Sequence, residues 1–299
     1  MKDRIAHNEY AAFIEYVNDD IPDNVTHRVK DSDLKRYKTE SYITEQLADI
    51  ARQGNLDDPR VLVFAQPVYN ISTKRYDTAE ALTRLRLDKT GLVYPGTFVP
   101  IAGENELVHA ITKTVLNKAC QIVKKYRQEG YSINRISVNV SMIELKNGNF
   151  CDDIIKIIED NDVDPENIAI ELTESQNLED FMIMKDRIET LHEKGIKFYL
   201  DDFGTGYSNM ERIFELPFDI IKFDRSMVIA SGEDKRSEQL VENLAKMFSN
   251  FNFSVLFEGV ETNEDERRCL SMSADYLQGF KYSQPIPIDE LHTFLSKPN

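Results

Sequence analysis

The sequence contains no tryptophan, only three cysteines and only five histidines among its 299 residues. Cys120, Cys151 and Cys269 lie far apart without a C-x-x-C spacing, which argues against a zinc site and against a redox pair. No histidine stands in an H-x-x-x-H or H-x-x-E arrangement. We therefore expect buried free thiols, and we expect carboxylates to hold any metal ion.

The chain also lacks a hydrophobic run of roughly 18 to 20 residues, the length that a membrane helix needs. Its first residues lack the hydrophobic region of a signal peptide, so we expect a cytoplasmic protein without a membrane segment. Basic residues are in deficit, with 36 Lys and Arg against 52 Asp and Glu and a net charge of −16. This balance argues against binding of duplex nucleic acid, and it predicts that a cation accompanies any anionic ligand.

From residue 61 onward, runs rich in Val, Ile, Phe and Tyr alternate with segments of helical periodicity, a pattern typical of repeated βα units. Eight strands are predicted, at residues 61–69, 79–86, 135–141, 167–173, 196–202, 219–224, 254–260 and 275–280. Eight strands in about 240 residues fit the size of a (β/α)8 barrel, so the predicted fold class is α/β, a TIM-like barrel. The link between the first two strands is too short for a crossover helix, so this pair is predicted to be antiparallel.

Helical periodicity marks four segments between the strands, at residues 106–128, 152–161, 179–195 and 236–252. Residues 1–56 differ in character, because a polar segment precedes a lead-in helix predicted at 33–53. We predict two parts, an N-terminal extension with a linker helix at 1–56 and a barrel at 57–299. The extension is either an accessory segment of the barrel or a linker from an upstream domain, and its polarity is compatible with both interpretations.

Polar residues recur at the C-terminal ends of the predicted strands, where the loops of a barrel build the active face. They are Asn139, Glu171, Glu174, Asp201, Asp202, Lys222, Glu258, Glu261 and Gln278. One acidic residue at a strand end is more often a helix cap than a ligand, but capping does not account for the whole set. Carboxylates gathered at one rim repel each other unless cations neutralise them, and oxygen ligands favour Mg²⁺ or Mn²⁺.

Such a cluster suits attack of water on a phosphorus ester, assisted by two cations that activate the water and stabilise the leaving oxygen. Lys222 would stabilise the developing charge or orient the water. A surface lysine is the alternative, and the flanking Ile221 and Phe223 disfavour it. Asp201 and Asp202 would point to opposite faces of a regular strand, so we expect the following glycines to let the pleat break.

These motifs closely resemble the EAL-domain cyclic di-GMP phosphodiesterases over residues 57–299. The naming motif stands here as Glu80-Ala81-Leu82, extended by Arg84. The other matching fragments are AQP at 65–67, VNVS at 138–141, ELTES at 171–175, DDFGTG at 201–206, LPFDIIKFDRS at 216–226, EGVET at 258–262, QGF at 278–280 and SQP at 283–285. Each fragment is weak alone, but together, in order and at strand ends, they make the resemblance specific.

The resemblance implies hydrolysis of cyclic di-GMP to linear pGpG with two Mg²⁺ or Mn²⁺ ions. The metal ligands that it implies are Glu80, Asn139, Glu171, Asp201, Asp202 and Glu258. The catalytic residues that it implies are Glu80, Lys222, Glu258 and Gln278, and the substrate contacts are Gln66, Leu82, Arg84, Pro217, Asp224 and Arg225. It also implies a homodimer through the barrel, coupled to the metals by a loop that contains Phe203, Gly204, Thr205 and Gly206 and is pinned by Glu174.

Two other functions stay open at this point. Family members that have lost ligands survive as receptors or scaffolds that bind cyclic di-GMP without cutting it, whereas no catalytic position of the family pattern is lost here. An enolase-type barrel would use Lys222 as a carbon-acid base, but Asn139, Arg84 and Gln278 suit a phosphate better than an enolate. Residues 1–56 look like the connecting segment after a GGDEF or sensory domain, so we expect either a piece of a larger signalling protein or a degenerate remnant of such a domain.

Overall fold

The computed structural model describes residues 31–104, 106–173, 178–205 and 209–297. The chain divides into two compact units, one ending at Tyr42 and one beginning at Ile43. The predicted lead-in helix is present as α1, Asp31–Gln53, so the division falls within this helix. In its C-terminal half, Ile43, Leu47 and Ile50 are buried at helical spacing. The predicted boundary between residues 56 and 57 stays a prediction.

Eight strands close into a barrel in the second unit. Among the described residues, the strands of the sheet are β1 Val61–Asn70, β2 Arg75–Leu87, β3 Gly91–Val93, β4 Arg135–Asn139, β5 Ile168–Thr173, β6 Lys197–Phe203, β7 Ile220–Phe223, β8 Ser254–Phe257, β9 Tyr276–Leu277 and β10 Ile286–Pro287. Strands β2 and β4 to β9 run parallel around the barrel, and β1 closes it by antiparallel pairing with both β2 and β9. The predicted barrel with an antiparallel first pair is confirmed.

Helices connect the parallel strands and cover the barrel. After α1 they are α2 Pro95–Glu104, α3 Val108–Gln128, α4 Met142–Leu145, α5 Phe150–Asp160, α6 Leu178–His192, α7 Met210–Glu215, α8 Arg225–Ala230, α9 Lys235–Asn250 and α10 Asn263–Ser271. Short 3-10 helices span Pro165–Asn167 and Ile288–Thr293. Among the described residues, no helix combines the length and the apolar character that crossing a membrane would require.

The interior of the barrel contains an apolar layer of side chains from different strands. It consists of Val68, Ala169, Tyr199, Ile220 and Leu256, all at most 2% exposed. Four of these residues stand two positions before a predicted site residue, namely Glu171, Asp201, Lys222 and Glu258. Because every second side chain of a strand points to the same side, this buried apolar layer lies directly beneath the predicted site.

The sequence prediction was incomplete at the short elements. It omitted β3, β10, α2, α4, α7, α8 and α10, most of which are too short for a periodic pattern to identify. Three predicted strands also ran at least two residues too far, because β4 ends at Asn139, β8 at Phe257 and β9 at Leu277. At the end of β8, for example, Gly259 adopts a φ of +66° and turns the chain out of the sheet.

Candidate active site

Lys222 lies at the centre of an acidic cluster at the C-terminal ends of the strands. Its side chain is 1% exposed, and its Nζ lies 2.5 Å from Glu171 Oε2, 2.8 Å from Asp201 Oδ1 and 2.8 Å from Glu258 Oε1. A fourth oxygen, Glu80 Oε2, is 3.6 Å away. Within the described part of the chain, no other lysine or arginine forms an ion pair with these four carboxylates. Lys222 is therefore a buried site residue, and the surface-lysine alternative is excluded.

Glu80 on β2 is connected to two amide side chains from other strands. Asn139 Nδ2 donates to Glu80 Oε1 at 2.8 Å, and Gln278 Nε2 donates to Glu80 Oε2 at 2.8 Å. Gln278 Nε2 also lies 3.1 Å from Gln66 Oε1, and the Gln66 amide donates to the Ser283 carbonyl at 3.1 Å. The antiparallel register of β1 and β2 places Gln66 opposite Glu80, so the closure of the barrel creates this network.

Asp201 and Asp202 reach the same mouth although they are neighbours on β6. Oxygens of Asp201, Asp202 and Glu258 all lie within 4.8 Å of one another. The pleat breaks at Asp202 itself, which has a φ of +55°, and the β6–β7 register shifts between Leu200 and Phe203. The predicted break is present, and it lies at the left-handed backbone of Asp202, two residues before Gly204, which also has a positive φ.

The pKa values in the cluster reflect burial and crowding of like charges. Burial and the nearby Glu80 raise the pKa of Glu171 well above its ordinary value. Burial raises the pKa of Glu258 to about 7, and burial with Asp201 and Asp224 raises the pKa of Asp202. Burial alone would lower the pKa of Lys222, but the surrounding carboxylates raise it well above its ordinary value. The site therefore holds more negative charge than its ammonium group neutralises.

A cavity of about 270 Å³ opens beside the cluster and provides room for a ligand. Its lining includes Gln66, Glu80, Arg225, Glu258, Gly259, Glu261, Gln278, Gly279 and Phe280. Arg225 Nη1 lies 2.7 Å from Glu261 Oε1, and Phe280 is 58% exposed. Sequence reasoning missed Phe280, although it belongs to the QGF fragment from which only Gln278 was selected.

Arg84 follows Glu80 by four residues on β2, and its side chain lies beside two aromatic rings. Its guanidinium carbon is 5.7 Å from the ring centroid of Phe64 and 5.0 Å from that of Tyr94. Among the described residues, no carboxylate lies within ion-pair distance of this guanidinium, and burial lowers its pKa. A half-buried guanidinium held by aromatic rings is suited to bind an anion.

The remaining predicted residues lie at different distances from the cluster. Leu82 is half-buried on β2 between Glu80 and Arg84. Asp224 caps α8, because its Oδ1 accepts from Ser226 N at 2.9 Å. Pro217 precedes β7 and lines a second cavity together with Phe214 and Leu216, so the structure does not bring it to the acidic cluster.

The predicted coupling loop is only partly described. Phe203 is buried against Phe223 and Phe248, with ring centroids 5.1 and 5.0 Å away. Thr205 N and Oγ1 donate to the Asp202 carbonyl at 3.2 and 3.0 Å, and Gly204 has a φ of +103°. The predicted roles of Glu174 and Gly206 fall on positions outside the described residues.

The donor set fits a hard divalent cation. Five carboxylates, those of Glu80, Glu171, Asp201, Asp202 and Glu258, converge with the amide of Asn139, and such oxygen ligands suit Mg²⁺ and Mn²⁺. Gln278 Oε1 is buried and accepts no hydrogen bond from any described residue. A buried acceptor of this kind is costly unless a further donor occupies the site.

The family model of the EAL domain matches residues 49–285, which is most of the chain. The chain belongs to the EAL domain family. The residues that name the family, Glu80-Ala81-Leu82, lie on β2, and Glu80 points into the acidic cluster. The resemblance seen in the sequence is thereby confirmed.

The chain is also similar in sequence to several named proteins and in structure to a solved one. The chain is 28% identical over 244 residues to signaling protein YkoW of Bacillus subtilis, covering 80% of this chain and 30% of that protein. It is 27% identical over 250 residues to cyclic di-GMP phosphodiesterase NbdA of Pseudomonas aeruginosa, covering 84% and 32%. The solved c-di-GMP complex of PaMucR phosphodiesterase is 27% identical, with a TM-score of 0.74, covering 82% of this chain and 99% of that chain. This chain thus spans about a third of the length of these two curated relatives.

Proposed function

We propose that this EAL domain is a phosphodiesterase that hydrolyses cyclic di-GMP to linear pGpG with two Mg²⁺ or Mn²⁺ ions. The observation that carries the proposal is the buried cluster in which four carboxylates surround the Lys222 ammonium group beside an open cavity. A relative named cyclic di-GMP phosphodiesterase and a solved phosphodiesterase complex with c-di-GMP support the choice of substrate.

The ligands that would hold the two cations are Glu80, Asn139, Glu171, Asp201, Asp202 and Glu258. When bound, the cations would supply positive charge that activates water and stabilises the leaving oxygen. The residues themselves set up this arrangement. Asn139 and Gln278 hold both oxygens of Glu80, and the left-handed backbone of Asp202 turns its carboxylate toward Asp201. The ligands are therefore oriented before a cation arrives.

Lys222 and Gln278 are the residues that we propose to act on the attacking water. The Lys222 ammonium group donates a hydrogen bond to Glu171 Oε2 and is held near Asp201 and Glu258 by charge, so its other N–H groups can orient a water molecule and stabilise charge on the phosphoryl oxygens. The buried, unpartnered Oε1 of Gln278 can accept a hydrogen bond from the same water. Glu258, whose Oε1 lies 2.8 Å from Lys222 Nζ, would help to hold the cations and this water.

We propose that side chains in the cavity and on the neighbouring part of β2 bind the cyclic dinucleotide. Arg84 would bind one phosphate. Arg225 would bind the other phosphate once its ion pair with Glu261 has broken. The exposed ring of Phe280 would stack on a guanine base. Gln66 and Leu82 would contact the ligand between these points, and Asp224 would act through the helix cap that holds Arg225. We leave Pro217 out of the proposed binding surface because it lines another cavity.

Further proposals concern the assembly of the protein. We propose a homodimer through the barrel, coupled to metal occupancy by the loop after β6, and a GGDEF or sensory domain upstream in the whole protein. A cytoplasmic location stays a prediction. The proposed dimer and upstream domain both rest on the family pattern. The chain itself covers only about 30% of the length of the two curated relatives named above.

Incubation of the purified protein with cyclic di-GMP and Mn²⁺, followed by chromatography of the nucleotides, tests the proposed reaction. We expect pGpG to form in a Mn²⁺-dependent manner and its formation to stop on chelation. Tight calorimetric binding of cyclic di-GMP without pGpG in either Mg²⁺ or Mn²⁺ would contradict hydrolysis and favour a receptor.

Replacement of Arg84 by lysine tests the role of the ring-supported guanidinium. We expect KM to rise about tenfold with little change in kcat, because an ammonium group loses both the planar fork and the aromatic support. Steady-state kinetics would measure the two constants separately. The matched control is Arg86→Lys, two residues along the same strand and exposed, which should change neither constant. An equal fall in kcat and kcat/KM for Arg84→Lys would show that Arg84 acts in the chemical step instead.

A further inference from the structure

A chain of amide groups connects the segment after β9 to the acidic cluster. The Gln66 amide nitrogen donates to the Ser283 carbonyl at 3.1 Å, and Gln66 Oε1 accepts from Gln278 Nε2 at 3.1 Å. Gln278 Nε2 also donates to Glu80 Oε2 at 2.8 Å. Both N–H groups of the Gln278 amide are therefore used, whereas its buried Oε1 has no donor among the described residues.

The direction of this chain is set by its first member, which is a backbone carbonyl. A carbonyl oxygen only accepts, so the end of the Gln66 amide beside Ser283 must be the nitrogen. The other end of the same amide is then the oxygen, which requires a donor from Gln278. The Glu80 carboxylate requires a donor as well, so both neighbours of Gln278 select its nitrogen. Reversal of the Gln278 amide would place its oxygen against two acceptors.

The Ser283 carbonyl is itself held by a tight turn after β9. Ser283 N donates to the Gly279 carbonyl at 3.1 Å, and Val260 N donates to the Gln278 carbonyl at 3.0 Å. Gly279 has a φ of +155°, and a Cβ atom there would lie 2.2 Å from the Val260 carbonyl oxygen. Only glycine therefore allows the two segments to approach so closely. Because β1 pairs with β2, β9 and β10, the strand that carries Gln66 is fixed beside this turn.

We infer that Gln66 is a positioning residue that orients the amide of Gln278, so that Gln278 presents its oxygen and not its nitrogen to the attacking water. The inference rests on the proposed function, in which Gln278 Oε1 accepts a hydrogen bond from that water. It deepens the proposed function, because the family resemblance implies only a substrate contact for Gln66.

The orientation of the amide matters for the chemistry of the water. An acceptor at Gln278 binds one O–H group of the water and leaves a lone pair of the water oxygen free to attack phosphorus. An N–H group at the same place would instead occupy such a lone pair. The Gln66 link therefore favours the orientation of Gln278 that supports attack.

Replacement of Gln66 by methionine, which has a similar length but no amide, tests this role at saturating Mn²⁺. We expect kcat to fall about tenfold, because Gln278 loses one of the two hydrogen bonds that fix its amide. Steady-state kinetics separates this effect from the loss of a ligand contact, which would raise KM and leave kcat unchanged. The matched control is Gln121→Met on α3. The Gln121 amide donates to Asp57 Oδ1 at 2.9 Å, away from the cluster, and this variant should retain the wild-type kcat.

A double-mutant cycle with Gln278→Met distinguishes positioning from simple packing. If Gln66 acts through Gln278, Gln66→Met should lower kcat by less than about twofold once the Gln278 amide is absent. A further fall of about tenfold in the double variant would show that the two residues act independently, and it would overturn the inference. A raised KM with unchanged kcat in the single variant would overturn it as well.

Neutron diffraction from wild-type crystals grown in D₂O tests the orientation directly, so it decides even if Gln66→Met does not fold. We expect two deuterons on the amide atom of Gln278 that faces Gln66 and Glu80. An oxygen at that place, with the deuterons on the opposite atom, would refute the inference. Formation of pGpG by the wild-type protein tests the proposed function separately. Absence of pGpG would contradict the proposed reaction, whereas the neutron map would still show whether Gln66 orients Gln278.

Discussion

Replacement of Lys222 by methionine is expected to lower the turnover of cyclic di-GMP by roughly 10²- to 10⁴-fold. The ammonium group lies within 2.8 Å of three carboxylate oxygens and is in the position to orient the attacking water. The same change should destabilise the metal-free protein by ~3–5 kcal/mol, because it leaves buried carboxylates without their cation. Steady-state kinetics and urea unfolding would measure the two effects.

Added Mn²⁺ should reverse much of this loss of stability in Lys222→Met, since a divalent cation can neutralise the same oxygens. The matched control is Lys197→Met. Lys197 also pairs with a carboxylate, Asp219 at 3.1 Å, but at the start of β6 and away from the cluster. Lys197→Met should retain turnover. A large loss of Mn²⁺ affinity in Lys222→Met would show that Lys222 serves the structure of the site and not the chemistry.

Replacement of Glu80 by glutamine is expected to reduce turnover by about 10² or more and to weaken Mn²⁺ binding. Both oxygens of Glu80 accept hydrogen bonds, one from the Asn139 amide and one from the Gln278 amide. The amide nitrogen of a glutamine at this position would therefore face one of these two donors without an acceptor between them. The variant also loses one of the negative charges that would hold the cations. Kinetics with Mn²⁺ titration would separate the loss of metal affinity from the loss of rate.

A control for Glu80→Gln is Glu211→Gln, which removes an equal charge from an exposed position on α7. It should leave both turnover and Mn²⁺ affinity unchanged. Near-normal hydrolysis by Glu80→Gln at every Mn²⁺ concentration would mean that Glu80 is not a metal ligand, although binding of cyclic di-GMP can survive the substitution.

The barrel could be predicted from the sequence because its strands are long apolar runs separated by helical periods. The antiparallel first pair followed from a link of only a few residues, and β1 does pair antiparallel with β2. Polar residues at strand ends marked the site, and the structure brings Asn139, Glu171, Lys222 and Gln278 to one mouth.

Other features depend on three-dimensional contacts that no local pattern contains. The φ of +55° at Asp202 accompanies the register shift between β6 and β7, whereas the sequence pointed only to the glycines that follow. Phe280 becomes a cavity residue only when the chain after β9 returns to the mouth. Pro217 belongs to a matching fragment but precedes its strand, so it lies away from the residues that follow other strands.

Anomalous diffraction from crystals grown with Mn²⁺ and cyclic di-GMP would show whether the acidic cluster binds two metal ions. We expect two manganese peaks among Glu80, Asn139, Glu171, Asp201, Asp202 and Glu258, beside the cavity that holds the nucleotide. A nucleotide bound in that cavity with no manganese among these side chains would contradict it.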